Sequence, residues 1–304
     1  MLHGTSTSQE APVRRWQQPS AANNLASVAH DDATDKLLLG NLSVLSTVAS
    51  NQHVTIQALI EASNRQFESL SFSGYFSYNP WDYAREAYEE YWERFAPLRA
   101  NTVVLGMNPG HWGMVQTGIP FGNVPIVRDW MGICSQASRP ARQHPRRPVL
   151  GWACPRSGVS AQRVWQLLQR LYPTPEKLFA HCFLLNYCPL AWMNESGRNV
   201  TPDHLPRVER ERLFAICDEA VAWQLRELGA VRLIAAGRWA EARAHNLNQK
   251  YDLNVQVREV PHPSPANRKN NTGWGRELEQ LLLEPHSGIT STREQRADRE
   301  SAAK

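Results

Sequence analysis

The chain has 304 residues, 42% hydrophobic and 20% charged, with 33 basic side chains against 29 acidic ones. That is enough apolar material for a buried core in one large or two small domains, and too little charge for a polyelectrolyte. The longest apolar runs, at 37–39 and 281–283, fall far short of a bilayer crossing, and no charged-then-apolar leader opens the sequence, so neither a membrane nor a secretory protein is expected. The cysteines (Cys134, Cys154, Cys182, Cys188, Cys217) are odd in number and lack C-x-x-C spacing. Free thiols in a reducing compartment fit better than a disulfide framework or a zinc site.

Residues 1–54 are rich in Ser, Ala, Asn, Gln and Thr with no sustained period, and read as disordered apart from a short helix over 37–48. A helix over 55–70 places Ile56, Leu59, Ile60 and Phe67 on one face. A second helix, 81–95, has Asn79 as its N-cap and Pro80 in its first turn. TVVLGM at 102–107 reads as a buried strand, followed by helices over 125–133 and 160–171. The apolar run 182–186 is a second strand. Residues 201–228 read as mostly helix, capped by Thr201 with Pro202 at N1. VRLIAA at 231–236 is a third strand, and Gly237 leads into a helix that ends near 249. A fourth strand over 255–260, a helix over 273–283 and a disordered polar tail over 285–304 complete the chain.

Four apolar strands alternating with helices imply an α/β fold whose parallel sheet is covered on both faces. Ligands of such sheets sit beyond the carboxyl ends of the strands. Those ends are followed by Asn108-Pro109-Gly110, by Asn186 with Tyr187-Cys188-Pro189, by Gly237-Arg238 and by PHPSP at 261–265. Asn108, Asn186 and His262 are therefore expected at one edge. Pro109 drives Asn108 out of the α region. Its local sequence fits either an Asx-type turn or a carboxamide held rigidly towards a ligand, where it can orient a water but not act as a base. His262 is either an ordinary loop histidine or an imidazole placed by two flanking prolines to donate to a developing anion. Asn186 can tie backbone or read a base edge, and Phe121 can be core or a platform for a base. A Cys188–His262 pair and a His181/Cys182/Cys188 metal site have little local support, and no phosphate-binding glycine loop is present. Charge is uneven: residues 128–170 hold eight arginines and one acid, whereas 75–95 hold five acids and two arginines. The basic stretch is a solvated loop or a phosphate-binding surface.

Six segments carry a family likeness: GMNPGHWGMVQTGIPFG at 106–122, VRDWMGI at 127–133, HPRRPVLG at 144–151, HCFLLNYCPL at 181–190, SGRNVTP at 196–202 and HPSPANRKNNTGW at 262–274. Together they resemble the single-strand-selective monofunctional uracil-DNA glycosylases, over residues 62–283 and without large gaps. The resemblance implies a three-layer α/β/α domain over 55–284 with a four-stranded, mainly parallel sheet. It implies base-excision repair: hydrolysis of the N-glycosidic bond of uracil and of 5-substituted uracils such as 5-hydroxymethyluracil and 5-formyluracil, leaving an abasic site. Asn108 would position the water and His262 would stabilise the leaving base. Met107, Gly110, Phe121 and Asn186 would form the base pocket, and Arg142, Arg146, Arg147, Ser264, Asn267, Arg268 and Lys269 would hold single- or double-stranded DNA. No metal or other cofactor is implied, and a monomer is expected, nuclear if the source is eukaryotic. A non-catalytic DNA-binding or damage-sensing module on the same fold is the alternative, as is, more remotely, a small-nucleotide hydrolase. Two departures stand out. Ala266 occupies the place where the family usually has a wedge arginine, which favours unpaired targets unless Arg268 substitutes, and His111-Trp112 replaces the usual Pro-Phe.

Overall fold

Parallel strands buried on both faces must be apolar at consecutive positions, and the sequence supplies three such runs, the fourth strand expected being the largely exposed QVREV. The computed structural model describes residues 54–265 and 274–285. In chain order the described elements are α1 (Ile56–Phe67), β1 (Phe76–Tyr78), α2 (Pro80–Tyr83), α3 (Arg85–Phe95), β2 (Thr102–Gly106) and α4 (Met114–Thr117). They continue with α5 (Val159–Leu171), α6 (Pro175–Phe179), β3 (Cys182–Asn186), β4 (Ala191–Met193) and β5 (Asn199–Val200). The last are α7 (Arg207–Leu228), β6 (Arg232–Ala236), α8 (Arg238–Tyr251), β7 (Gln256–Val260) and α9 (Arg276–Leu283). Of the segments expected to be disordered, 1–54 and 285–304, all but residues 54 and 285 lie outside the described residues, as does the short helix expected at 37–48.

The main sheet has the order β3-β2-β6-β7, and every pairing in it is parallel. Every residue of β2 and β6 is buried, so side chains on both faces are covered. The register aligns Gly106 with Asn186 and Ala236 with Val260, which brings the carboxyl ends level. The core runs through Leu59, Ile60, Tyr91, Leu105 and Phe183, and Phe95 stacks on Phe179 at 4.2 Å.

Three local expectations need correction. The helix expected over 81–95 is two helices. Asn79 does cap the first, accepting from the Trp81 amide at 3.1 Å, but Ala84 leaves helical geometry at φ −124°, ψ 28°. Ala84 is packed so tightly against Gly118 that a Cβ on that glycine would lie 2.8 Å from its methyl. Residues 201–228 likewise divide into a 3₁₀ turn, Pro202–His204, and α7, because Pro206 holds Leu205 extended at ψ 157°. The helix expected over 125–133 is a single π turn, Pro125–Trp130. A second sheet, β1-β4-β5, is antiparallel and was not anticipated. Its strands are two or three residues long, too short to show a period.

Candidate active site

The level strand ends place their following loops around one cleft of about 580 Å³. Its walls include Met107, Asn108, Gly110, Phe121, Asn186, His262 and Ser264, which unites the sequence-expected catalytic and base-binding residues. Ladder bonds continue past β2, from the Tyr187 amide to the Gly106 carbonyl and from the Cys188 amide to the Met107 carbonyl, both 2.9 Å. They hold the Asn108-Pro109 turn in place. Asn108 is half-buried, and its Nδ2 donates to the Leu190 carbonyl at 3.4 Å. That contact occupies the donor side of the carboxamide and leaves Oδ1 as the side to which a water can donate.

Gly106 makes the close approach of two other side chains possible. A Cβ there would lie 2.6 Å from Phe121 Cζ and closer still to Asn186 Oδ1. Phe121 adopts a left-handed backbone, φ 58°, and its carbonyl accepts from the buried Trp165 indole at 3.0 Å. A non-glycine residue in that region carries about 1–3 kcal/mol of strain, tolerated where the surroundings over-determine it. Asn186 Nδ2 donates to the Met114 thioether at 3.2 Å, a weak acceptor. Gly110 is exposed, and a Cβ built on it would meet nothing within 4 Å.

His262 is fixed from several sides. The Ser264 amide donates to its Nδ1 at 3.1 Å, so the neutral ring carries its proton on Nε2. The Trp274 indole donates to the Pro261 carbonyl at 2.8 Å and the Arg163 guanidinium to the Pro263 carbonyl at 3.0 Å. Gly237, at φ 95°, lets the His262 Cβ approach to 3.0 Å of where its own Cβ would be. Burial lowers the imidazole pKa from its usual 6.5 and keeps the ring neutral. Sequence reasoning missed Arg163 and Trp274 as anchors of this loop, since each meets a carbonyl that is distant along the chain.

A family model for the uracil DNA glycosylase superfamily matches residues 93–282. Single-strand selective monofunctional uracil DNA glycosylases are 44% identical in Mus musculus over 207 residues and 43% in Bos taurus over 213. The two matches cover 68% and 69% of this chain, and 74% and 78% of the relatives. The chain belongs to the uracil DNA glycosylase superfamily, in its single-strand selective monofunctional branch. The crystal structure of Pedobacter heparinus SMUG2 has a similar fold, with a TM-score of 0.50 and 16% identity, over 74% of this chain and 93% of the other.

The basic residues expected to serve this glycosylase fold as DNA contacts are dispersed. Arg147 is half-buried, with Nε donating to the Gly197 carbonyl at 2.8 Å, and its guanidinium lies 5.5 Å from the ring centre of Trp112, which lines the cleft. Arg146 is exposed. Arg142 stacks on Phe76 at 4.9 Å and lines a separate groove with Tyr75, Asn79 and Asp82. Ser264 lines the cleft, whereas Asn267, Arg268, Lys269 and Ala266 lie outside the described residues. Arg156, not singled out from the sequence, stacks on Trp112 at 4.7 Å.

Proposed function

We propose that the chain flips uracil and 5-substituted uracils out of DNA and hydrolyses their N-glycosidic bond. The observation that carries this reading is the meeting of Asn108, Asn186, Phe121 and His262 in one cleft whose described lining has no carboxylate and no lysine. With no carboxylic acid in the described lining, departure of the base as an anion fits the site, and a neutral donor suits that task. In the proposed reaction the C1′–N1 bond breaks and its electron pair moves into the base ring. The uracil oxygen that gains charge accepts a hydrogen bond from His262 Nε2. A water oriented by Asn108 Oδ1 adds to C1′, and the proton it loses passes through solvent to the uracil anion, leaving an abasic site and neutral free base. The lack of an amine in the described lining fits simple hydrolysis rather than a Schiff-base step. Phe121 stacks on the extruded base, and extrusion costs a few kcal/mol, least from a single strand. The small Ala266 and the names of the curated relatives support a preference for unpaired targets.

Asn186 offers a donor and an acceptor to the pyrimidine edge. Cytosine presents the opposite pattern and would leave unpaired groups costing about 1–3 kcal/mol. The open space at Gly110 suits a hydrated 5-substituent. A hydroxymethyl or formyl group keeps the bonds of a water it displaces, whereas the thymine methyl does not. The test is release of base from matched oligonucleotides carrying uracil, 5-hydroxymethyluracil, 5-formyluracil, thymine or cytosine. The first three are expected to be excised and the last two refused. Gly110→Tyr should abolish the 5-substituted activities before the activity on uracil. Equal loss on all, or efficient excision of thymine by the native protein, would sink this account of the pocket.

A pH prediction follows from the lowered pKa of His262. The single-turnover rate should stay flat from alkaline pH down past 6.5 and fall only below it, when the ring protonates and Nδ1 can no longer accept from Ser264. A loss centred at or above 6.5 would contradict the buried neutral donor. Stability has the same sign. Burial also pushes His111 down to about 3, so between that value and 6.5 the unfolded chain binds more protons than the folded one. Stability is present above 6.5 and is lost as pH falls through this window.

A further inference from the structure

Trp112 is half-buried on the wall of the cleft, and two guanidiniums rest on its ring, Arg156 at 4.7 Å and Arg147 at 5.5 Å. Two like charges on one indole repel each other, and among the described residues neither arginine forms an ion pair that would offset the repulsion. Arg147 is held by its Nε bond to Gly197, and its own carbonyl accepts from the Tyr78 hydroxyl at 2.7 Å. Its terminal nitrogens remain for a ligand. His111 packs edge-on to Trp112 at 4.2 Å and is 9% exposed, with neither ring nitrogen hydrogen-bonded. Burial first, and then the Arg147 and Arg156 guanidiniums near it, hold that ring neutral. Trp112 already carries cations on its ring, so it is poorly placed to stack a base. A stacked guanidinium still presents its N–H edge in plane, and that fork matches a pair of phosphate oxygens.

We infer that Arg147 and Arg156, braced on Trp112, form a binding site for one DNA backbone phosphate beside the extruded nucleotide. The inference rests on the glycosylase reading of the cleft. It assigns anchoring to a pair in which Arg156 lies outside the basic motif HPRRPVLG, and it gives a role to the Trp112 that stands where the family usually has Phe.

The test is a neutralisation scan. Single-stranded oligonucleotides carry one uracil and one methylphosphonate, moved along the phosphates in turn, and both affinity and uracil release are measured. Wild-type protein should lose about tenfold in affinity when one phosphate next to the uracil is neutralised. The Arg147→Gln/Arg156→Gln double variant should show no further loss at that phosphate and should keep its losses elsewhere. Arg156→Gln alone, at an exposed position, should remove most of that sensitivity with an unchanged melting temperature, which guards against misfolding of the double variant. An identical scan in wild type and variants would overturn the site. If inorganic phosphate raises the melting temperature of the wild type alone while the scan is flat, the site takes free phosphate, and the inference fails. If the oligonucleotides bind but no uracil is released, the catalytic reading falls, and the affinity profile still decides the phosphate site.

Discussion

Asn108→Ala is expected to lower the single-turnover rate by about 10²–10³-fold, the range seen when one preorganised polar group is removed from a catalytic site. Affinity for uracil-containing DNA should stay near wild type, because Phe121, Asn186 and the arginines are untouched. The bond lost to Leu190 is long, 3.4 Å, so the fold should lose no more than about 0.5–1.5 kcal/mol. Melting temperature separates that small structural cost from the chemical one. His262→Ala should act similarly, and the double variant should cost less than the two losses combined if both groups serve one transition state. Single-turnover rates near wild type for either variant would remove that residue from the mechanism.

Gly106→Ala should be nearly as damaging by a different route. The new methyl would sit 2.6 Å from the Phe121 ring and against the Asn186 amide. The backbone of β2 cannot yield, since β3 pairs with it on one side and β6 on the other. Phe121 cannot easily retreat, because its left-handed backbone is tied to Trp165. Overpacking of this kind typically costs about 1–3 kcal/mol. Here the cost falls on the two groups proposed to hold the base, so KM should rise and kcat fall, by about tenfold or more in kcat/KM. Wild-type kinetics in this variant would show that neither Phe121 nor Asn186 needs its present position.

The main sheet was legible because each of its strands except β7 is almost wholly buried, and burial on both faces writes a continuous apolar run. β7, with only Val260 buried, lies within the strand expected over 255–260. Once the strand order follows from alternation with helices, the meeting of Asn108, Asn186 and His262 follows from topology. The small sheet was not legible, since β4 and β5 depend on partners brought together only by the finished fold. The break at Ala84 was hidden for a related reason: alanine favours helix, and the contact that overrides it comes from Gly118. Arg163 carries no local signal of its role, since its bond to Pro263 spans 100 residues.

The small sheet bears on how the protein tolerates heat. Leu190, whose carbonyl holds the Asn108 amide, directly precedes β4, and the ladder partners of β4 among the described residues are the short strands β1 and β5. Short ladders of this kind open at a lower free energy than a central parallel sheet. Warming would therefore release the carboxamide from its tether while the four-stranded core stays folded. The temperature at which turnover fails should then lie below the temperature at which the chain melts, with lost turnover returning on cooling.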